Sequence, residues 1–444
     1  MDGFQRQALK KSPGDTTVKI SQTFLSLAIT GWVICFDSVG HAGDDETTVP
    51  VEHIGESPGR SAAVIVGQTA LLHTAQLFAT SAASFGESRD EEFDRQARSC
   101  IAELGRVLGD RNSRLEQLVK LNLYASSDTV AEKLVANLHR FLPNGTRPAV
   151  CIVTTKLPRS GVDFGLDAVA WTKSTFDEVH RWKGQNESNL ATDQPRAALG
   201  TSVAAVLPIG PAAYVSGQAE AGDGSLADAS KKTMQSLLKT IQRFEMTSRD
   251  VVQVKAFLSP MAQAATAIEQ IEAAFPGQIP PPLTLVEWQS SLPIEIELIA
   301  SSPVRPSSKS RSEIEFLTPE WMKPSPLFAR VTRNNQRGTI YFSAAYGKSE
   351  HPDSTEEVRG LFDNVRAEAE ALGADLNHLI KATYYVTSDA ASQNLNVVRP
   401  DFYAPASPPS ASKARVAGTG VAGRTIAIDF IGSVKSKKSQ PKRP

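Results

Sequence analysis

Two glutamates, Glu295 and Glu297, alternate with three aliphatic residues in segment 294–298. Successive side chains of a β-strand point to opposite faces, so the two carboxylates would share one face and the aliphatic side chains the other. A carboxylate held on such a face can position and activate water for hydrolysis. Two interpretations stay open here: a solvated or salt-bridged strand face, and one wall of a polar ligand cleft.

Sequence signatures of metal and cofactor chemistry are missing. The chain has three Cys and seven His, but neither a C-x-x-C nor an H-E-x-x-H spacing. Zinc sites and zinc-dependent hydrolases need such spacings. A Walker loop and a G-x-S-x-G motif are missing too. We therefore expect neither a metal nor a cofactor.

The composition is that of an ordinary soluble globular protein, with 41% hydrophobic and 21% charged residues. A length of 444 residues suggests two to four domains. The 47 basic and 48 acidic residues give a net charge of -1. This balance argues against an electrostatic grip on nucleic acid along the whole protein, so no nucleic-acid partner is expected.

The N-terminal segment has the parts of a secretory signal. Basic residues such as Lys10 precede a mostly apolar run at 20–36, and the small residues Gly40 and Ala42 follow two positions apart. These features predict a cleaved signal over residues 1–42 and export to the periplasm or the extracellular space. An uncleaved anchor or an unstructured extension, the latter with a cytoplasmic location, are the alternatives. No other membrane contact is expected.

The remainder of the chain contains three copies of one pattern. Strand-like segments at 118–126, 251–259 and 379–387 each carry an aromatic residue at the same place. A strand led by proline follows each segment at a matching distance. The aromatic residues are Tyr124, Phe257 and Tyr385, spaced by 133 and 128 positions, and the prolines are Pro148, Pro282 and Pro409, spaced by 134 and 127. Two landmarks that repeat in step indicate a triplication.

Each copy shows the order β-β-α-β-α-β-β, which predicts an α+β fold. In copy one the long helix is marked by an apolar stripe that includes Phe93, Ala97, Ile101 and Leu108. The predicted boundaries are 50–175, 195–303 and 325–434 for the three repeats, 176–194 and 304–324 for the linkers, and 435–444 for a basic disordered tail.

The closing strands resemble those of the RidA/YjgF family, known as reactive enamine and imine deaminases and formerly as endoribonuclease L-PSP. Copy two carries the most specific match, with Tyr-Val-Ser-Gly-Gln at 214–218, Pro-Leu-Thr-Leu-Val-Glu at 282–287 and Leu-Pro-Ile-Glu-Ile-Glu at 292–297. Copy one is close and copy three is the most diverged. The resemblance covers residues 50 to 434.

The resemblance implies three tandem units with a chorismate-mutase-like fold, since the family forms homotrimers whose sheets face inward and whose clefts lie between neighbours. Three fused copies would then build the trimer within one chain, as an intrachain pseudo-trimer that is monomeric in solution. The family chemistry implies an Arg that clamps a substrate carboxylate and a Glu that activates water.

These family residues carry over incompletely. The Arg position is held by Val150, Leu283 and Ala411 in the three copies, and the Glu position by Gly165, Glu295 and Ala427. The Gly of Ser-Gly-Gln corresponds to Ala75, Gly217 and Ala344. Copy two therefore supplies the candidate site: Glu295 as the catalytic residue, and Ser216, Gly217, Gln218 and Arg147 as substrate-binding residues, with Arg147 as the cation that a neighbouring unit would lend.

The sequence predicts a triplicated RidA-like protein with largely degenerate clefts, which binds a small molecule between its domains or acts as a scaffold. The first alternative is an enamine or imine deaminase, a hydrolase with a rearranged site. The second alternative, a ribonuclease-type activity, rests only on the older family naming.

Overall fold

A computed structural model describes residues 51–79, 86–174, 176–184, 198–302, 312–335, 338–347 and 350–435. The predicted signal segment 1–42 and residues 436–444 of the predicted tail lie outside these ranges. The described residues form a mixed α+β structure, as the sequence predicts. Their helices include none that is both long enough and apolar enough to cross a membrane.

The described residues contain twenty strands. In chain order they are β1 (Val51–Ile54), β2 (Ala63–Val66), β3 (Ala70–Thr74), β4 (Leu77–Phe78), β5 (Leu118–Ala125), β6 (Ala149–Thr154), β7 (Phe164–Thr172), β8 (His180–Lys183), β9 (Ser202–Leu207), β10 (Ala212–Gln218), β11 (Val251–Leu258), β12 (Leu283–Glu287), β13 (Ile294–Ser301), β14 (Ile314–Leu317), β15 (Val331–Asn334), β16 (Thr339–Phe342), β17 (Ala345–Tyr346), β18 (Leu379–Val386), β19 (Ser410–Arg415) and β20 (Ile426–Ser433).

Six α-helices lie between these strands within the described ranges. They are α1 (Arg89–Gly109), α2 (Asp128–Phe141), α3 (Leu226–Arg243), α4 (Ala264–Ala273), α5 (Thr355–Ala371) and α6 (Asp389–Val398). A serine hydroxyl caps the N-terminus of every one except α4; Ser88, for example, forms a capping box with Glu91. The apolar stripe predicted on α1 is confirmed, because Phe93, Ala97 and Leu108 are buried.

The strands form three sheets. Sheet 1 has the order β8-β9-β3-β7-β5-β6, sheet 2 the order β14-β15-β10-β13-β11-β12, and sheet 3 the order β1-β2-β16-β20-β18-β19. In each sheet the last two strands are parallel and are joined by a crossover through a helix (α2, α4 or α6), as parallel pairs require. The short strands β4 and β17 add to sheets 1 and 3.

One face of each sheet packs against its own helices, and the opposite faces of the three sheets meet one another. Val119, Val252 and Ile380, which hold matching places in β5, β11 and β18, belong to one buried apolar cluster. The three predicted aromatic anchors, Tyr124, Phe257 and Tyr385, belong to a second one. The inward side chains of the aromatic strands therefore form a common core.

The partners of the first strands differ from the prediction. The sequence predicts that the first two strands of each copy belong to one unit, yet β2 lies in sheet 3 and β3 in sheet 1. In the same way β9 joins sheet 1 while β10 begins sheet 2, and β15 joins sheet 2 while β16 begins sheet 3. Sheets 1 and 2 are each completed by strands from later in the chain, and sheet 3 is completed by the first strands of the chain. Alternating strands show which face is buried but not which sheet they join.

The predicted linkers also need correction, since both contain a strand. Residues 180–183 form β8, which pairs with β9, and residues 314–317 form β14, which pairs with β15. At the start of the chain β1 pairs with β2 in the same way. An edge strand of four residues is too short to show a clear period of alternation, which explains why these segments look like polar joins.

Candidate functional site

Glu295 lies in β13, opposite Phe257 of β11, on the face that the three sheets share. Its carboxylate accepts hydrogen bonds from the Ser412 hydroxyl and from the backbone N–H of Lys413, both in the edge strand β19 of sheet 3. We call this junction of sheets 2 and 3 the 2–3 cleft. The predicted catalytic residue therefore lies where two sheets meet.

The surroundings of Glu295 favour its neutral form. Burial raises the pKa of its carboxyl to about 7, and the negative charge of Glu297 acts in the same direction. The N–H of Lys413, the hydroxyl of Ser412 and the charge of Lys413 oppose this rise. A carboxyl with a pKa near neutrality can exchange a proton at physiological pH, which is what acid–base catalysis needs.

The backbone of Gly217 lies against the side chain of Glu295. A Cβ atom at position 217 would collide with the side chain of Glu295, so only glycine fits there. The N–H of Gly217 donates to the Ser412 hydroxyl at 3.1 Å. Gly217, Ser412 and Glu295 thus form a continuous hydrogen-bonded chain, and the predicted pairing of Gly217 with Glu295 is present in the structure.

The two neighbours of Gly217 make other contacts. The Ser216 hydroxyl donates to the carbonyl of Ala329 at 2.5 Å and accepts from the N–H of Ala411 at 2.7 Å. The amide of Gln218 donates to the hydroxyl of Thr240 in α3 at 2.9 Å. Ser216 therefore braces the strands that build the cleft, and Gln218 faces the helix layer.

Arg147 does not reach Glu295. Its guanidinium forms an ion pair with Glu56, and its carbonyl accepts from Ser61 at 2.7 Å, at the junction of sheets 3 and 1. The cation whose charge acts on Glu295 is Lys413 instead, because β19 rather than β6 packs on β10. The predicted role of Arg147 is therefore wrong.

The Lys413 side chain points away from the cleft. Its ammonium lies 3.4 Å from the Asn396 amide oxygen in α6, while its backbone N–H serves Glu295. Burial and the positive charge of Arg399 lower the pKa of Lys413. The 2–3 cleft thus has a distant cation, not a guanidinium that could clamp a carboxylate in two places.

The 1–2 cleft, between sheets 1 and 2, is filled by a glutamine. Strand register places Gln76, not the predicted Ala75, at the position equivalent to Gly217. Leu77 pairs with Leu166 in sheet 1, and Gln218 pairs with the equivalent residue Ile296 in sheet 2, so the residues that precede them, Gln76 and Gly217, are equivalent as well. Gln76 Nε2 donates to the carbonyl of Leu285 at 3.3 Å, and the N–H of Leu285 donates to Gln76 Oε1 at 3.2 Å. Leu285 holds the place in β12 that Lys413 holds in β19.

The 3–1 cleft, between sheets 3 and 1, is closed by backbone contacts. The N–H of Ala344 donates to the carbonyl of Val150 at 2.9 Å, and the N–H of Val150 donates to the Ser343 hydroxyl at 2.7 Å. These contacts draw β6 against the strands of sheet 3.

Strand register shows that the three residues predicted at the Arg position are equivalent to one another. Val150, Leu283 and Ala411 stand at one equivalent place, next to Leu121, Val254 and Ala382 of the parallel neighbouring strands. None of the three can donate a side-chain hydrogen bond. All three side chains pack in the core between a sheet and its helices.

Glu297 resolves the two interpretations of the Glu-x-Glu pair. Glu297 is buried and lies 2.6 Å from the ammonium of Lys381 in β18. Glu297 therefore belongs to a buried ion pair, while Glu295 lines the 2–3 cleft. Ser412 and Lys413 were missed by sequence reasoning, and the only sequence signal for them is the alternation of Ser410, Ser412 and Ala414.

Solved structures similar to this chain include members of the RidA/YjgF family. A YjgF family member from Neisseria meningitidis is 15% identical over 29% of this chain and 98% of its own, with a TM-score of 0.21. RidA from a Psychrobacter species is 23% identical over 22% of this chain and 80% of its own, with a TM-score of 0.20. A Rid family protein from Yersinia pestis is 17% identical over 28% of this chain and 99% of its own, with a TM-score of 0.26. No family model and no curated protein matches the chain.

Proposed function

We propose that the chain is a triplicated RidA-like protein that folds as an intrachain pseudo-trimer and serves as a scaffold or small-molecule binder rather than as a hydrolase. The cyclic exchange of first strands among sheets 1, 2 and 3 supports the pseudo-trimer. The matching positions of Tyr124, Phe257 and Tyr385 in one cluster support it as well.

One observation carries the functional part of the proposal. At two clefts a side chain of the protein itself accepts a hydrogen bond from the equivalent backbone N–H of an edge strand. Gln76 accepts from the N–H of Leu285, and Glu295 accepts from the N–H of Lys413. An external carboxylate would have to displace these groups. It would then find no guanidinium from position 283 or 411, which are Leu and Ala, and this leaves a charged ligand with little to compensate its desolvation.

A second candidate function is favoured by the state of Glu295. A cleft carboxyl whose pKa is raised to about 7 is typical of an acid–base catalyst. Ser412 and Gly217 form a hydrogen-bonded chain that orients the carboxyl group of Glu295. In this alternative the 2–3 cleft would hydrolyse an imine or enamine derived from an amino acid.

An assay of imine hydrolysis distinguishes the two functions. The purified chain and its Glu295→Gln variant would be mixed with an amino-acid-derived imine generated in situ, with Arg359→Ala, which alters a surface ion pair, as the matched control. We expect all three proteins to leave the spontaneous rate unchanged. Turnover that falls by about 10²-fold or more in Glu295→Gln alone would establish the deaminase instead.

A further inference from the structure

A cavity of about 30 Å³ lies where the inner faces of the three sheets meet. Each sheet contributes polar side chains to its wall, among them His73 and Asn122 from sheet 1, Gln253 from sheet 2 and Tyr341 from sheet 3. All four side chains are more than nine-tenths buried. The cavity belongs to none of the three clefts described above.

The cavity lies next to a position that is lysine in two of the three sheets and glutamine in the third. Lys120, Gln253 and Lys381 are equivalent, since they pair with Val169, Ile299 and Ile431 in the adjacent strands. Two of the three are lysines whose ammonium groups reach an acid of another sheet. These pairs are Lys120 with Asp429 at 2.5 Å and Lys381 with Glu297 at 2.6 Å.

In copy two the equivalent residue is the neutral Gln253, which is shorter and carries no ammonium. A lysine appears two positions later instead, as Lys255. Lys255 is buried. Burial acts to lower its pKa, but the neighbouring Tyr124 and Tyr385 and the negative charges of Asp167 and Glu297 raise it. The cavity wall itself carries three lysines, Lys120, Lys255 and Lys381, and two acids, Glu297 and Asp429, and the charge of Asp167 also acts on Lys255.

Four polar atoms on the cavity wall have no protein partner: His73 Nε2, Asn122 Oδ1, Gln253 Nε2 and Tyr341 OH. Buried polar atoms are nearly always hydrogen-bonded, and leaving one unpaired destabilises the fold. Burial lowers the pKa of His73 to about 4, so its ring is neutral at pH 7. Each of the four groups is thus uncharged.

The balance of donors and acceptors identifies the missing partner. Asn122 Nδ2 donates to Asp167 at 2.8 Å, which leaves Asn122 Oδ1 as an acceptor. His73 Nδ1 contacts Gln253 Oε1 at 3.2 Å, so His73 Nε2 accepts and Gln253 Nε2 donates. With the hydroxyl of Tyr341 as the second donor, two donors and two acceptors remain. Rotating the Gln253 amide exchanges the roles of Gln253 and His73 and leaves the same total.

We propose that this cavity is a hydration site in which one or two water molecules bridge His73, Asn122, Gln253 and Tyr341 and take the place of the third ammonium. A water molecule donates twice and accepts twice, which matches the four atoms. The volume fits one or two water molecules, since one requires about 10–15 Å³ of such space. A halide would need donors only, and a metal or ammonium ion would need acceptors only.

Crystals of the full chain grown with bromide or with rubidium test the identity of the occupant. We expect solvent density within hydrogen-bond distance of the four atoms and no anomalous signal from either ion. An anomalous bromide or rubidium peak in the cavity would overturn the proposal in favour of an ion site. Featureless density there at a resolution that shows other ordered waters would also overturn it.

Water ¹⁷O relaxation dispersion tests the same site in solution by counting long-lived internal waters. The double variant Gln253→Lys with Lys255→Asn copies the pattern of copy one and keeps the charge balance, so its ammonium should expel the water and reduce the dispersion amplitude. Tyr341→Phe should shorten the residence time about tenfold, the effect of one lost hydrogen bond. Tyr214→Phe, at the equivalent place in sheet 2 but outside this cavity, is the control and should change nothing. Unchanged dispersion in the double variant would contradict the proposal.

Discussion

Lys120 Nζ lies 2.5 Å from Asp429 Oδ1, although the two residues are 309 positions apart in the chain. Both side chains are more than nine-tenths buried, and the pair joins sheet 1 to sheet 3. The same ammonium donates to the carbonyl of Phe342. The first and last thirds of the chain are thus tied together in the core.

Replacing Lys120 with methionine should leave Asp429 as an unpaired buried charge. Removal of one partner of a buried ion pair typically lowers the free energy of unfolding by about 3–5 kcal/mol. Urea denaturation would measure the loss. Arg359→Ala breaks an exposed pair with Asp401 of similar length, 2.6 Å, and should cost about 1 kcal/mol or less. Equal losses in the two variants would show that the core pair contributes little.

The pKa of Glu295 predicts a dependence of stability on pH. A carboxyl whose pKa rises on folding, here from 4.5 to about 7, favours the native state most when it is protonated. Its contribution is therefore complete below about pH 4.5 and is lost as the pH rises through 7. The full shift corresponds to at most about 3 kcal/mol.

Glu295→Gln should remove this dependence, because glutamine does not titrate. The difference in free energy of unfolding between the variant and the parent should move in favour of the variant between pH 5 and pH 8. Urea denaturation of both proteins at the two pH values measures this difference, with the parent protein as the reference. A constant difference would mean that Glu295 titrates normally.

The elements with long, regular patterns could be predicted from the sequence. The helix stripe of α1 and the aromatic strand β5 both extend over enough residues for their period to be clear. The residue types at the family's Arg position could also be read, because Val150 and Ala411 follow their proline landmarks by two residues and Leu283 follows Pro282 by one. Residue type and spacing were sufficient for these features.

Other features depend on contacts that residue type does not encode. The connection from Val66 to Ala70 is shorter than the connection from Leu207 to Ala212. When copy one is aligned on this turn, its strand is displaced by one residue, so Ala75 takes the place that Gln76 holds in the structure. The Lys413 contact to Glu295 uses a backbone N–H that any residue except proline possesses. Such a contact follows only from the packing of β19 against β10.

Gly217→Ala tests how tightly the 2–3 cleft is packed. The new methyl group would overlap the side chain of Glu295, so we expect a loss of about 1–3 kcal/mol in the free energy of unfolding. Adding Glu295→Ala should restore much of that loss, because it removes the overlapping atoms. Gly360→Ala, in the interior of α5 with open space around its Cα, is the control and should stabilise by up to about 1 kcal/mol. A harmless Gly217→Ala would show that the cleft is open.

The hairpin of β1 and β2 completes sheet 3, and this arrangement predicts that the chain is a monomer. β2 lies between β1 and β16, with Val64 paired to Tyr341, so sheet 3 is completed within the chain. A variant that begins at Thr48 retains the hairpin and should be monomeric by light scattering. A variant that begins at Gly67 lacks it and exposes the unpaired edge of β16, and such edges recruit strands from other molecules. We therefore expect the second variant to oligomerise or precipitate, and a well-folded monomer would show that the hairpin is dispensable for closing the sheet.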